Sequence, residues 1–257
     1  MYDFSTQQKM LKVAYLLIKE KKLLDIAAFG GGTALSAFYW NHRFSTDIDI
    51  FLYGEVNYKE QLIESTWNES IRKTFSNIGY KKGNMINNSA YLEFKITSEE
   101  KIQFLDVLKR TDNPYVQGSI FGLDMQIETI NEIIAKKVFF RAHKGNSRDI
   151  FDIAVALHKN PYIFQEINTP LEKLESFLDI LSDIESNQTM YDDYKKEIIE
   201  LNPTNEYKAI ALMAVEYLLE YLNDYVYSMY ILQPFTKEVS VELENEIYED
   251  LLAKTFL

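Results

Sequence analysis

No cysteine occurs in the 257 residues. Disulfides and thiolate zinc sites are therefore excluded, and a reducing compartment is the natural expectation. Long apolar runs are also missing. The most apolar helical stretch, Ala209 to Leu222, is broken by Glu216 and Glu220, so no segment reads as a membrane span. The opening MYDFSTQQKMLK lacks the charged-then-apolar pattern of a secretory signal, and a cytoplasmic protein is expected. Histidine is scarce, and His143 and His158 have no ligand-type partner at helical spacing; both are expected to be structural. Proline is absent before Pro114. Basic residues thin out along the chain: residues 1–160 hold 21 Lys/Arg against 19 Asp/Glu, residues 161–257 only 6 against 20. These shifts predict an α+β protein, with an α/β-type domain over 1–113 and a helical domain over 114–257. At 47% hydrophobic residues there is ample material for a core.

Glycine is sparse too, yet three of the nine stand together at Gly30, Gly31 and Gly32. They follow a short apolar run, Ile26 to Phe29, and precede a helix-compatible segment, Thr33 to Trp40. After a polar link the chain reads Asp47-Ile48-Asp49-Ile50-Phe51-Leu52, alternating with period two as a strand does. Asp47 and Asp49 thus share one face, while Ile48 and Ile50 face a core. Two neighbouring carboxylates repel, and a hard divalent cation relieves that cost. Glycines let a backbone approach a ligand closely, and a helix start offers unpaired N–H groups to phosphate. A phosphate cradle facing a carboxylate pair suits phosphoryl or nucleotidyl transfer.

Gly31-Gly32-Thr33-Ala34-Leu35, then His42-Arg43, Ser45 and Asp47-Ile48-Asp49, resembles the first motif of the AbiEii/AbiGii-type nucleotidyltransferase toxins, within the DNA polymerase beta-like nucleotidyltransferase superfamily. Trp40-Asn41 departs from the family's usual small residues ahead of His-Arg. The resemblance implies a polymerase beta-like core, a small mixed sheet flanked by helices, followed by a helical domain. It implies an NTP substrate held by Gly31, Gly32, Thr33 and Arg43, with Mg2+ or Mn2+ on Asp47 and Asp49. His42 is expected to orient the loop.

Ser5 to Lys21 is predicted helical, with Ser5 and Gln8 spaced as a capping box, and Tyr58 to Asn77 as a second helix. Tyr91–Ile96 and Ile102–Leu108 read as antiparallel strands. Asp106 shares a face with Ile102 and Phe104. It is either a third metal-facing carboxylate or, if the strand ends at Leu105, a solvated one.

Thr129 to Leu157 carries the second pattern. Thr129 and Glu132 are spaced as a capping box, and Gly145 is placed to end the helix. Lys137, Arg141 and Lys144 fall at i, i+4 and i+7 as one basic stripe, whose plain alternative is a solvated face. Ser147 can cap the next helix, where Arg148 and Asp152 are i,i+4 partners beside Asp149. IIAKKVFFR followed by RDIFD resembles the family's second signature, a lysine helix and an Arg-Asp-x-x-Asp motif. By that resemblance Lys137 contacts nucleotide phosphate, Arg141 and Arg148 assist, and Asp149 is the functional acid. Lys136 is the competing lysine, and Asp152 is equally a partner of Arg148.

Beyond Pro161 the apolar spacing is that of amphipathic helices, and most of the 18 tyrosines are expected in or beside the core. The resemblance points to NMP transfer from an NTP onto an RNA 3′ end, often tRNA, by a toxin with a cognate antitoxin. Two other readings stand: transfer to a small hydroxylated molecule such as an aminoglycoside or to a protein side chain, and a non-catalytic nucleotide- or antitoxin-binding protein.

Overall fold

The computed structural model describes residues 2–255. The chain divides after Thr129 into two compact units.

The first unit is built on one seven-stranded mixed sheet: β1 Ala27–Gly30, β2 Ile48–Tyr53, β3 Met85–Asn87, β4 Leu92–Lys95, β5 Lys101–Val107, β6 Tyr115–Ile120 and β7 Leu123–Glu128, in the order β3-β4-β5-β2-β1-β7-β6. The β1–β7 and β2–β5 pairs are parallel and the other neighbours antiparallel. Helix α1, Ser5–Glu20, buries Met10, Leu11, Ala14, Leu17 and Ile18. Its recurrence of apolar residues every three to four positions makes one continuous core-facing stripe. An aromatic cluster seals one side of the core, with Trp67 stacked on Phe75 at 4.1 Å and Phe94 against both.

Several local expectations change. The N-terminal boundary of α1 is set at Phe4, and Asp3 rather than Ser5 supplies the accepting oxygen, for the Ser5 N–H at 2.9 Å. The expected helix over 58–77 resolves into 3-10 turns at Tyr58–Leu62 and Glu64–Thr66, then α3, Glu69–Asn77. Asn68 starts α3 afresh, its side chain accepting the Ile71 N–H. Residues 115–128 form the β6–β7 hairpin, and β7 pairs with β1. That pairing holds the hairpin in the first unit, so the division falls after Thr129 and not at 113/114. Phe121 and Gly122, both at positive φ (52° and 75°), make the two-residue turn that matches strand twist.

The second unit is helical: α4 Ile130–Phe140, α5 Ser147–Lys159, α6 Ile163–Glu166, α7 Leu171–Ser186, α8 Gln188–Glu200, α9 Lys208–Tyr230 and α10 Lys237–Thr255. Helix α9 is its axis and packs against α5, α7, α8 and α10. Residues 149–157 of α5 are all buried, so α5 is enclosed on every side. Tyr194, Tyr207, Tyr217, Tyr221 and Tyr225 lie in this core, as expected of the tyrosines. Tyr217 donates to Glu244 at 2.5 Å, and His158 Nδ1 lies 3.0 Å from the same carboxylate, a structural role. Among the described residues no helix is long and apolar enough to cross a membrane.

Candidate active site

Asp49 lies in β2 on its half-exposed face and Asp47 immediately precedes the strand; Ile48, Ile50 and Leu52 fill the core face. What brings the glycine turn to them is the antiparallel β1–β2 register, which sets Gly30 opposite Asp49. The chain then turns through Gly31, at φ 69°, into the single helical turn α2, Gly31–Ala34, and a π-helical turn, Leu35–Trp40.

Each glycine makes room for a side chain. A Cβ on Gly31 would stand 2.3 Å from Asp49 Oδ2, and one on Gly32 would stand 2.5 Å from Arg43 Nη2. Both are closer than a Cβ approaches another atom, so a side chain at either position would push the Asp49 carboxylate or the Arg43 guanidinium from its place. The link 41–47 is tied down from within. Thr33 Oγ1 donates to the Asp47 carbonyl at 2.5 Å and lies 2.8 Å from Ser45 Oγ, and Ser36 donates to the Arg43 carbonyl. Arg43 Nη1 donates to the Phe44 carbonyl at 3.0 Å. Thr33, His42 and Arg43 are all buried, and the His42 ring meets Trp40 edge-on at 5.4 Å. Thr33 and Arg43, expected on the nucleotide, thus brace the loop that carries Asp47.

Neighbouring strands complete this face. Gln103 of β5 pairs with Asp49, and Glu93 of β4 pairs with Gln103. Gln103 Nε2 donates to Glu93 at 2.7 Å, and Lys101 Nζ lies 3.8 Å from Asp47 and 3.7 Å from Glu93. Sequence reading missed this polar row, although period two from Lys101 and Gln103 marks their shared face.

Asp106 is elsewhere. It pairs with Leu52 and shares the face of Ile102 and Phe104, which is the face opposite Asp47 and Asp49. Its carboxylate accepts the N–H groups of Tyr58 at 2.8 Å and Lys59 at 3.2 Å. Burial raises its pKa, and these hydrogen bonds and Lys59 only partly offset that. The third-carboxylate expectation is therefore corrected: strand alternation turns Asp106 away from the pair. A hollow of about 920 Å3 lined by Lys59, Glu60, Asn87 and Asp106 lies at this far end of β2 and β5.

Two same-face carboxylates fit magnesium or manganese. The donors are hard oxygens, and the Asp49 carboxylate occupies a cradle that any Cβ on Gly31 would fill. Among the described residues no three acidic or histidine side chains gather as a metal cluster. Two protein ligands suffice for magnesium, which habitually completes its shell with substrate phosphates and water.

In the second unit Lys137 meets Asp149 and Asp152, whereas the spacing had paired Asp152 with Arg148. Lys137 Nζ lies 2.5 Å from Asp149 and 2.9 Å from Asp152, and Arg141 Nε lies 2.9 Å from Asp149. Lys137 is only 6% exposed. The plain alternative of a solvated face therefore fails at Lys137, which sits in a buried ion cluster, while Arg141 and Lys144 are exposed. Burial alone would raise the Asp149 carboxyl, but Lys137 and Arg141 outweigh it and hold the pKa below the usual range. Asp152 faces Lys137, and Arg148 is exposed. Ser147 opens α5 but does not cap it; its hydroxyl donates to Glu197 at 2.7 Å.

No curated protein matches the chain. Among solved structures, the crystal structure of JHP933 from Helicobacter pylori matches with a TM-score of 0.47 and 17% identity, over 91% of this chain and 100% of that one. The Escherichia coli MS115-1 CdnC:HORMA-deltaN complex matches at 0.30 and 13%, over 97% and 91%. Likenesses this distant carry no argument about function. The family described as "Nucleotidyl transferase AbiEii toxin, Type IV TA system" matches residues 16–224, well over half of the chain. With the glycine turn, the Asp47–Asp49 strand and the Lys137–Asp149 pair all formed, the chain belongs to that family and is a nucleotidyltransferase toxin.

Proposed function

We propose that the protein transfers a nucleoside monophosphate from an NTP to the 3′ end of an RNA, tRNA foremost, with magnesium or manganese as cofactor. The observation that carries the reading is the Asp47–Asp49 pair on a half-exposed strand face, with Asp49 lodged against Gly31. Asp47 and Asp49 would hold the metal, which supplies charge stabilisation at the phosphates. Gly31 and Gly32 offer backbone N–H groups to the triphosphate. Thr33, Ser36 and Arg43 keep the Asp47 loop in place, so they act on geometry. Lys137 is assigned to nucleotide phosphate by the family resemblance, and Asp149, with Arg141 beside it, fixes the direction of that ammonium. The protein's activity as a toxin implies a cognate antitoxin.

The acceptor has a second reading. Residues 161–257, with 6 basic against 20 acidic residues, suit a cationic hydroxylated acceptor of aminoglycoside type better than a polyanion. The near-neutral balance of residues 1–160 favours RNA, because local charge governs docking. Incubating the protein with each labelled NTP, magnesium and separate acceptor pools distinguishes them. Label on tRNA supports the first reading; label confined to an aminoglycoside replaces it with the second.

A further inference from the structure

Helices α9 and α10 of the second unit meet along a seam with two adjoining hollows. One, about 440 Å3, is lined by Glu220, Asp224, Glu246 and Asp250 around Leu243 and Ile247. The other, about 200 Å3, is lined by Tyr227, Ile231, Phe235 and Val239, and again by Asp224 and Leu243. The shared residues make the two hollows one groove. Its walls follow helical spacing: 220, 224, 227 and 231 on one side, 239, 243, 246 and 250 on the other. At 1.5 Å per residue the stretch from Glu220 to Ile231 is about 16 Å, the length of about three helical turns.

The groove has two chemically distinct ends. Around the α9–α10 connection large apolar side chains stand in solvent, with Tyr227 63%, Ile231 47% and Val239 41% exposed. Isolated exposed apolar residues need no explanation, but a contiguous set lining a hollow marks a contact surface. At the opposite end four carboxylates line the walls, with Lys254 bound to Asp250. Burial raises the Glu220 carboxyl; Lys254 opposes this, and Asp250, Glu185 and Glu216 add to it, so negative charge there is incompletely balanced.

We propose that this groove docks a cationic amphipathic helix of a partner protein, with apolar residues against Tyr227, Ile231 and Val239 and Lys or Arg against Glu220, Asp224, Glu246 and Asp250. Charge selects this occupant. Nucleic acid and anionic membrane surfaces meet repulsion at the acidic end. A second copy of the chain brings its own net charge of −12 and the same acidic walls. A basic helix with apolar anchors at i, i+3, i+4 and i+7 matches both ends at once. The inference does not depend on which acceptor the enzyme uses.

The probe is a fluorescein-labelled helical peptide of about 14 residues, leucine on one face and lysine or arginine on the other. Its anisotropy is followed against the full-length protein. The wild type should bind it at low salt and weaken as salt rises. Asp224→Lys with Glu246→Lys should weaken binding about tenfold or more. Ile231→Ser with Val239→Ser should weaken it without altering the salt slope. All four positions are exposed, so folding should survive; circular dichroism checks this. Hydrogen exchange should show peptide-dependent protection within 220–250. No binding at low salt, or equal binding by both variants, would overturn the proposal. So would a wild-type dimer that Ile231→Ser dissociates, which would assign the groove to a second copy.

Discussion

Lys137→Met is the substitution that most directly probes the second unit. The ammonium bridges Asp149 and Asp152, whose side chains are 2% and 0% exposed. Methionine keeps the aliphatic stem, so packing is largely preserved while the charge is lost. Removing one partner of a buried ion pair costs about 3–5 kcal/mol. Arg141 still serves Asp149, which places the expectation near the lower end, about 3 kcal/mol. With a urea m-value of about 2 kcal/mol/M, the midpoint of unfolding should fall by about 1.5 M. Far-UV circular dichroism follows the helical unit, whereas Trp40 and Trp67, both in the first unit, report on the other half as an internal control. Adding Asp152→Asn should recover part of the loss, because it removes the carboxylate stripped of Lys137. The pH dependence has a definite sign. A carboxyl held low in the folded state, as Asp149 is, contributes stability that is full above its unfolded pKa of about 4 and fades as pH falls through the lowered value. The gap between wild type and Lys137→Met should be full at neutral pH and close under acid. A midpoint shift below about 0.3 M, or a gap unchanged in acid, would refute the ion-cluster reasoning.

Gly31→Ala should cost about 1–2 kcal/mol from the positive φ alone and displace the Asp49 carboxylate besides, so thermal unfolding and magnesium-dependent stabilisation should both suffer. Asp106→Asn should keep transferase activity while loosening the Tyr58–Lys59 turn; loss of activity as complete as in Asp49→Asn would contradict its placement on the opposite face. Lys101→Met removes a cation 3.8 Å from Asp47, so magnesium should raise the melting temperature at lower concentrations than in the wild type, and an unchanged midpoint would show that Lys101 does not compete.

Much of the first unit could be read directly because alternation is a strong signal there. Ile48 and Ile50 alternate with Asp47 and Asp49, and the structure buries the isoleucines. The same alternation could have excluded Asp106, since in a parallel pair Ile48 aligns with Ile102 and Asp106 then falls on the isoleucine side. What was missing was the register, which depends on residues far apart in sequence. The β6–β7 hairpin escaped notice because polar and apolar residues mix in YVQGSIFGLDMQIE, and its turn uses Phe-Gly instead of an Asn-Gly pair. Missing it moved the division of the chain by sixteen residues. Ser5 and Ser147 have the composition of caps, but each lies one position inside its helix. In the second unit the resemblance marked out Lys137 and Asp149 one by one, without pairing them. Neither their contact nor their burial was legible, because a lysine stripe with helical spacing looks alike whether it meets water or buried acids.

The most direct test is nucleotide transfer by Asp47→Asn and Asp49→Asn. Each substitution keeps side-chain volume and removes one charge from the half-exposed face of β2. Both proteins should fold, shown by circular dichroism, and each should lose the magnesium-dependent rise in melting temperature that the wild type displays. Incubated with labelled NTPs and tRNA, both should fail to transfer label, and each should relieve any growth arrest the wild type causes. Full transfer activity in either folded variant would contradict the assignment of the carboxylate pair.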